Sequence, residues 1–427
     1  MESKKNRKTK WQRKTTAFLV GQGISLFGSQ IVQMAIIWHV TLETSSGLWV
    51  TVLTLAAFLP QMVMSLFAGV WADRYDRKRI IIISDTVIAV TTLALALFMK
   101  SGKTGEAVLP AIIIVSVIRS LGSGVQTPTV NAMLPQIVPE DNLSRVNGYN
   151  GTIQSIVQFV SPVAAGAIMA IGPIYNILFI DVATAIIGIG ILFLLKIPKH
   201  QLIEKTKSMS VFSEMKEGFK FTWNHKFLKR MLAIYGAYIF LCVPSGFLTA
   251  LMIERTFGDN VMFMAINETV GFAGALVGGL LLGVTGGFKN RNKTFFLGAM
   301  LYGIVTFAVG FTNIFWLFAG LMFFVGMTIP AVQTAVFTMV QEKTNPSMMG
   351  RDFRLVNFMF TGFMPLGMAL FGPLADVVRI QTMVIVCAVF IMILALSIIL
   401  SKDFYSEGVT APSVEVEEGI GADYASK

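Results

Sequence analysis

Metal chemistry finds almost no material in this chain. Cysteine occurs twice, at Cys242 and Cys387, and histidine three times, at His39, His200 and His225. There is no Cys-x-x-Cys and no histidine near either cysteine, so no metal site is expected. Both cysteines fall in apolar runs and read as small core residues. No Gly-x-x-x-x-Gly-Lys loop is present, so ATP-driven transport by this chain alone is not expected. No nucleophile stands beside a base and no ligands cluster, which leaves an embedded enzyme without its machinery; no cofactor is expected. Charge is scarce as well, at 14% of residues.

Apolar residues fill that space: 54% of the chain, with a mean hydropathy of +0.69. Runs above about 18 residues recur along the whole length, each enough for a bilayer core of roughly 30 Å. Helices satisfy their own backbone hydrogen bonds in lipid, and the runs are too long for barrel strands of about 10 residues. The expected fold is an all-α membrane protein. Its twelve spans are 16–41, 47–72, 80–99, 107–128, 150–171, 174–196, 229–254, 261–286, 294–311, 314–340, 353–375 and 380–401.

The net charge of +10 is distributed by side. Of the 34 Lys and Arg, Arg119 lies inside a span and Lys100, Lys103, Arg255 and Arg379 fall on one side. All the others fall opposite, which is the positive-inside pattern and puts both termini in the cytoplasm. The basic charge therefore calls for no nucleic-acid partner. The chain divides into a basic cytoplasmic N-terminus (1–15), a six-helix bundle (16–196), a cytoplasmic linker (197–228), a second six-helix bundle (229–401) and a disordered acidic tail (402–427). In the linker, Phe212, Met215, Phe219 and Trp223 recur at spacings of three and four, as in an amphipathic surface helix. No small-residue cleavage site follows the basic N-terminus, so the first span is read as retained.

The halves resemble each other. A shift of 214 lays Gly69, Asp73, Arg77 and Arg79 onto Gly283, Gly287, Arg291 and Lys293, and a shift of 202 aligns Pro128–Glu140 with Pro330–Glu342.

The densest charge cluster, Asp73, Arg74, Asp76, Arg77, Lys78 and Arg79, sits between the second and third spans. The order Gly69-x-x-x-Asp73-Arg74-x-x-Arg77-Lys78 resembles the loop signature of the major facilitator superfamily. The resemblance implies a gating loop of Gly69, Asp73, Arg74, Arg77, Lys78 and Arg79. An Asp near helix N-termini and Arg groups gains about 1 kcal/mol per contact, and a contact made in one state only biases the equilibrium between states.

Arg119 lies mid-span, where a charge costs at least about 2.5 kcal/mol and normally faces a polar cavity or a partner. Arg119-x-x-Gly122-x-Gly124 resembles the fourth-helix motif of drug/proton antiporters. Ser161-Pro162-Val163-Ala164-Ala165-Gly166 resembles a degraded form of the exporter-type Gly-Pro-x-x-Gly-Gly motif, in which Pro kinks and small residues admit a neighbouring helix. Few carboxylates lie in the spans. Glu268 and Asp181 are placed at similar depth and, with Arg119, are the proton-coupling candidates. Asp85 is expected to brace the charged loop. Gln22, Ser25 and Ser29 share a face and, with Gln61, are expected to line a cavity. The 34 Phe and 24 Met would suit an adaptable lining for a bulky apolar or amphipathic solute, but most of them are expected to face lipid or other helices.

Further similar segments are Gln33–Ile37, Gly69–Ile80, Ile118–Ser120, Thr127-Pro128 with Asn131-Ala132, Val138–Glu140, Gly148-Tyr149, Gln154–Ile156, Ser161-Pro162 and Gly278–Gly283. Together they resemble the bacterial macrolide-efflux branch of the superfamily. That resemblance implies a major facilitator fold of two pseudo-symmetric six-helix bundles and export of an amphipathic small molecule by proton antiport from the bacterial inner membrane. The implied partners are the solute, protons and the lipid bilayer. An ATP-binding protein partner is compatible but not required, and a monomer is expected. Export of a siderophore or other metabolite, and import of a small nutrient, are the alternatives.

Overall fold

The computed structural model describes residues 2–102, 105–197, 226–343 and 349–408, and among them there is no β-strand. The first half holds α1 (Glu2–Thr44), α2 (Gly47–Arg74), α3 (Arg77–Lys100), α4 (Leu109–Ile137), α5 (Leu143–Ile171) and α6 (Tyr175–Leu194). The second holds α7 (Lys226–Phe247, resuming after Leu248 as Thr249–Phe257), α8 (Val261–Thr285), α9 (Arg291–Val309), α10 (Phe315–Lys343), α11 (Met349–Leu374) and α12 (Ile380–Leu400). A short α13 (Lys402–Glu407) follows. Among the described residues eleven helices are long and apolar enough to cross a membrane; α11, apolar over Gly362–Leu374, takes the twelfth place.

Two boundaries differ from the sequence reading for physical reasons. Helix α4 runs past Pro128 to Ile137 with Pro128 and Pro135 inside it. A proline deletes one ladder bond, which packed neighbours in a membrane bundle tolerate. Residues 402–407, expected to be disordered, form α13. Its ring Phe404 stacks on Phe227 at 5.0 Å, and its carbonyls at Phe404 and Tyr405 accept from Asn292 and Asn290. The expected amphipathic helix at 212–223 and the acidic tail beyond Gly408 lie outside the described residues.

In the first half α1 packs on α5 and α6, α2 on α4, and α3 on α4 and α6. In the second, α7 packs on α11 and α12, α8 on α10, and α9 on α10 and α12. The halves meet mainly through two helix pairs, α5 with α8 and α2 with α11. A shift of six helices exchanges these pairs, as a pseudo-twofold relation requires.

The internal repeat is visible in individual hydrogen bonds. Asp76 caps α3 by accepting from the Lys78 and Arg79 N–H groups, and Asn290 caps α9 by accepting from those of Asn292 and Lys293. Arg77 donates to the Ala72 carbonyl at 2.9 Å, and Arg291 to that of Gly286 at 3.1 Å. All five correspondences, Ala72 with Gly286 included, carry the same shift of 214 residues. Lys78 ties to the chain leaving α6, through the Phe193 and Leu195 carbonyls, as Asn292 ties to the chain leaving α12.

Candidate functional site

Polar residues recur along α1 at helical spacing, through Gln22, Ser25, Ser29 and Gln33, and face a cavity of about 530 Å³. Gln22, Ser25, Ser29 and Gln61 all line it, with Asp85 and Arg119. Its lining among the described residues is supplied by the first half. The composition is rich in glutamine rather than in Phe and Met. Seven glutamines contribute, at 22, 30, 33, 61, 126, 154 and 158, against one aromatic, Phe58. Many Phe and Met serve helix packing instead, because their volume closes helix interfaces in both halves.

Helix α2 is opened where it borders the cavity. Pro60 interrupts its ladder, and Ser120 of α4 inserts there, donating to the Ala57 carbonyl at 2.7 Å and accepting from the Gln61 N–H at 2.8 Å. That insertion fixes α2 against α4 beside Arg119.

Arg119 is buried, as is Asp181, and Nη1 of the guanidinium donates to Asp181 Oδ2 at 2.5 Å and to the Thr92 hydroxyl. Ser29 approaches Asp181 Oδ1 at 3.4 Å. The pair therefore joins α4 to α6 past α3, with Arg119 on the cavity wall and Asp181 behind it. Coulomb attraction offsets the desolvation of both ions only while both are present.

The structure separates the third coupling candidate from these two. Glu268 is not among the residues lining this cavity, and among the described residues it shows no hydrogen bond or ion pair. It lies on α8 one turn from Ala265, whose methyl sits where a Cβ on Gly166 would fall, and one turn from Phe272, whose ring is 6.0 Å from Phe159. Glu268 thus belongs to the α5–α8 seam. The segment containing Ser161, Pro162 and Gly166 supplies the other side of that seam, Ser161 and Pro162 being buried. Only a residue as small as Gly166 admits Ala265, the ideal Cβ position being 2.5 Å from its methyl.

Asp85 is also placed differently from the sequence expectation. It does not brace the charged loop; its Oδ1 accepts from Gln126 Nε2 at 3.0 Å, and it lines the cavity. Eight residues of helix, roughly 12 Å, separate it from Arg77 at the start of α3, too far for a carboxylate to reach back.

The charged loop holds the first half together. Arg77 donates to the Ala72 and Ala132 carbonyls at 2.9 and 2.7 Å, and Lys78 to those of Phe193 and Leu195 at 2.9 and 2.8 Å. These bonds join the ends of α2, α4 and α6. Arg74 and Arg79 are exposed. The Asp73 side chain and the surroundings of Gly69 lie outside the described residues.

At the opposite membrane face the halves are latched together. Asp376, in the turn after α11, accepts from the N–H groups of Gly47 and Leu48 at 2.7 and 3.0 Å and from the Ser46 hydroxyl at 2.9 Å. Ser46 is the N-cap of α2 but makes no side-chain cap of its own; the cap comes from the other half. Arg255 donates to Asp376 at 2.9 Å, to the Ala375 carbonyl at 2.5 Å and to the Ser45 carbonyl, and Glu254 accepts from the Ser45 hydroxyl. Partial burial opposes ionisation of Asp376, but the Leu48 and Gly47 N–H groups, the Ser46 hydroxyl and Arg255 outweigh it and hold the carboxyl below the usual carboxylate range. The backbones touch here: a Cβ on Gly47 would lie 2.1 Å from the Gly372 carbonyl oxygen.

Sequence reasoning missed this latch. Its members are some 330 residues apart, and a lone Asp in a short loop carries no signal of its own. The cavity, by contrast, reaches toward the charged-loop face through Asn131 and Gln154, both exposed.

Residues 18–368 match the Major Facilitator Superfamily. Macrolide efflux protein A of Streptococcus pyogenes is 32% identical over 398 residues, covering 90% of this chain and 95% of the relative. The staphyloferrin A transporter of Staphylococcus aureus (strain NCTC 8325 / PS 47) is 23% identical, covering 85% of this chain and 90% of the relative. A solved bacterial homologue of the human lysosomal transporter Spinster, in an inward-facing and unoccupied conformation, superposes with a TM-score of 0.68 at 13% identity, covering 94% of this chain and 99% of that one. The chain belongs to the major facilitator superfamily: it is a multi-pass membrane transporter rather than an enzyme, homologous to macrolide efflux proteins.

Proposed function

We propose that this major facilitator transporter exports an amphipathic small molecule, of macrolide type or a related compound, across the bacterial inner membrane by alternating access and proton antiport. The observation that carries the reading is a polar cavity reaching the charged-loop face while the Asp376 latch joins the halves at the other. The concentration of basic residues on the charged-loop side supports assigning that face, and both termini, to the cytoplasm. A cavity loaded from that side and closed outward is the starting state of an export cycle. The identity with macrolide efflux protein A over nearly the whole chain supports the solute class.

Coupling is assigned to Arg119 with Asp181, and to Glu268 at the α5–α8 seam. Protonation of Asp181 would remove the charge that holds Arg119, freeing the guanidinium toward the cavity. A group that binds a proton in one state and releases it in another shifts the equilibrium between them. The loop of Gly69, Asp73, Arg74, Arg77, Lys78 and Arg79 is assigned the inner gate, closing when the outer latch opens.

The test is expression in a drug-hypersensitive bacterium, scored against a broad toxin and metabolite panel with and without a protonophore. Resistance to one or more amphipathic compounds, lost with the protonophore, is expected. Protection against none of them, with intact protein in the membrane, overturns export of this solute class. The staphyloferrin A transporter among the relatives favours a siderophore as the second reading, and siderophore efflux in the same cells distinguishes it. Reporters fused within 205–215 and after Ser406 are expected in the cytoplasm, and one at 101–106 outside.

A further inference from the structure

The charged turn of the second half is short of acid. The shift of 214 residues lays Asp73 and Asp76 of the first turn onto Gly287 and Asn290. Asn290 keeps the capping geometry of Asp76 without its charge. The cations persist: Arg77 and Arg79 become Arg291 and Lys293, and Lys289 is added. Glu342 pairs with Arg291 at 3.1 Å. Lys289 and Lys293 are exposed, and neither has an ion-pair partner among the described residues; Lys293 Nζ lies 4.5 Å from the centre of the Phe288 ring.

The chain leaving α12 is delivered to this same turn. Asn292 donates to the Phe404 carbonyl, Asn290 to that of Tyr405 at 3.0 Å, and the Arg291 N–H to that of Gly408 at 2.8 Å. Phe404 stacks on Phe227 and carries the Arg230 guanidinium over its ring. Gly408 is thereby fixed at the first turn of α9, where the helix N-terminus adds partial positive charge to that of the lysines. In the first half, the tie from Lys78 to Phe193 and Leu195 leads into Lys199, Lys205 and Lys207, with one acid, Glu204, among them. After Gly408 the sign is opposite: Glu415, Glu417, Glu418 and Asp423 stand against Lys427 alone. The turn that carries its own acids is followed by basic chain, and the turn that lacks them by acidic chain.

We propose that the acidic segment 409–423 docks on the N-terminal turn of α9 in its own molecule. Its carboxylates meet Lys289 and Lys293 and stand in for the two acids missing from that turn. Seven residues lead from Gly408 to Glu415, a reach of up to roughly 25 Å. Both lysines lie two residues from Arg291, to which Gly408 is bonded. A tethered partner acts at an effective concentration in the millimolar range, so exposed ion pairs that are weak singly act as a group. The occupant is this chain's own segment, because the chain is already bonded to the site through Gly408. Docking is independent of which solute is carried.

The test is carbodiimide cross-linking of the full-length protein in detergent, read by mass spectrometry on a mixture of isotope-labelled and unlabelled copies. Cross-links from Glu415, Glu417 or Glu418 to Lys289 or Lys293 are expected within one copy. They should fall about tenfold in roughly 1 M salt, where the Debye length is about 3 Å. A variant carrying Glu415→Gln, Glu417→Gln, Glu418→Gln and Asp423→Asn leaves every described residue in place. In it, acetylation of Lys289 and Lys293 by a water-soluble reagent should rise about fivefold over the wild type as the tethered competitor is lost, with Lys100 at the opposite face unchanged. No cross-link from the segment, cross-links directed to Lys4–Lys14 or formed between copies, or equal acetylation in the two proteins, overturns docking at this turn.

Discussion

The Asp376 carboxylate caps α2 from the opposite half of the molecule, accepting from the Gly47 N–H at 2.7 Å across 329 residues of sequence. A helix N-terminus presents unpaired N–H groups and a partial positive charge. An acid delivered from the other bundle therefore satisfies α2 only while the two halves are together at that face. The same contact is a cap and a lock.

Asp376→Asn is expected to weaken the lock without unfolding either half. Labelling of a cysteine placed at Ala375, buried beneath the latch, by an external thiol reagent should rise about tenfold. The pH dependence follows in sign. A carboxyl held below its ordinary value in the latched state contributes fully above that ordinary value, about 3.9, and loses its contribution as pH falls through the lowered one. Labelling of the otherwise wild-type protein should be unchanged between pH 7 and 5. A rise over that window would mean that Asp376 is not the controlling group.

Gly47→Ala tests the same closure by shape. Its methyl would meet the Gly372 carbonyl oxygen, a backbone atom that cannot swing away. The expected result is a population shift toward the form open at that face, read by spin-label distances between α2 and α11. Closed-state distances identical to the wild type would show that the backbones part without cost.

Removing one member of the Arg119–Asp181 pair leaves the other buried and unpaired, at a cost of about 3–5 kcal/mol. Arg119→Ala and Asp181→Asn should each lower the melting temperature in detergent and abolish gradient-driven transport. The double variant Arg119→Leu, Asp181→Leu should recover much of the melting temperature but no transport, since no ion pair remains to open. Arg119→Lys should transport at least tenfold more slowly, because a compact ammonium lacks the planar guanidinium fork. Transport by the double variant at the wild-type rate would place coupling elsewhere.

Glu268→Gln keeps the shape of a side chain that has no described partner at the α5–α8 seam. It should leave solute binding measurable and abolish accumulation in vesicles with an imposed pH gradient. Retention of accumulation in this variant, with the Asp181 variants inactive, would assign coupling to the first half alone.

The sequence by itself determined the helices, their number and the charged turn between α2 and α3. Apolar run length and the sidedness of Lys and Arg are local properties, legible without knowing what packs on what. It also marked the polar stripe of α1 and the cost of Arg119, because a charge in an apolar span is conspicuous wherever it points. Only the tertiary structure decided who pairs with whom. Arg119 chose Asp181, Asp85 turned to Gln126, Glu268 went to the seam, and Asp376 crossed to α2. Helix periodicity gives the face of a residue but not the rotation of its helix against five others. Neither a cavity wall nor a cap supplied from another bundle exists until those rotations are fixed.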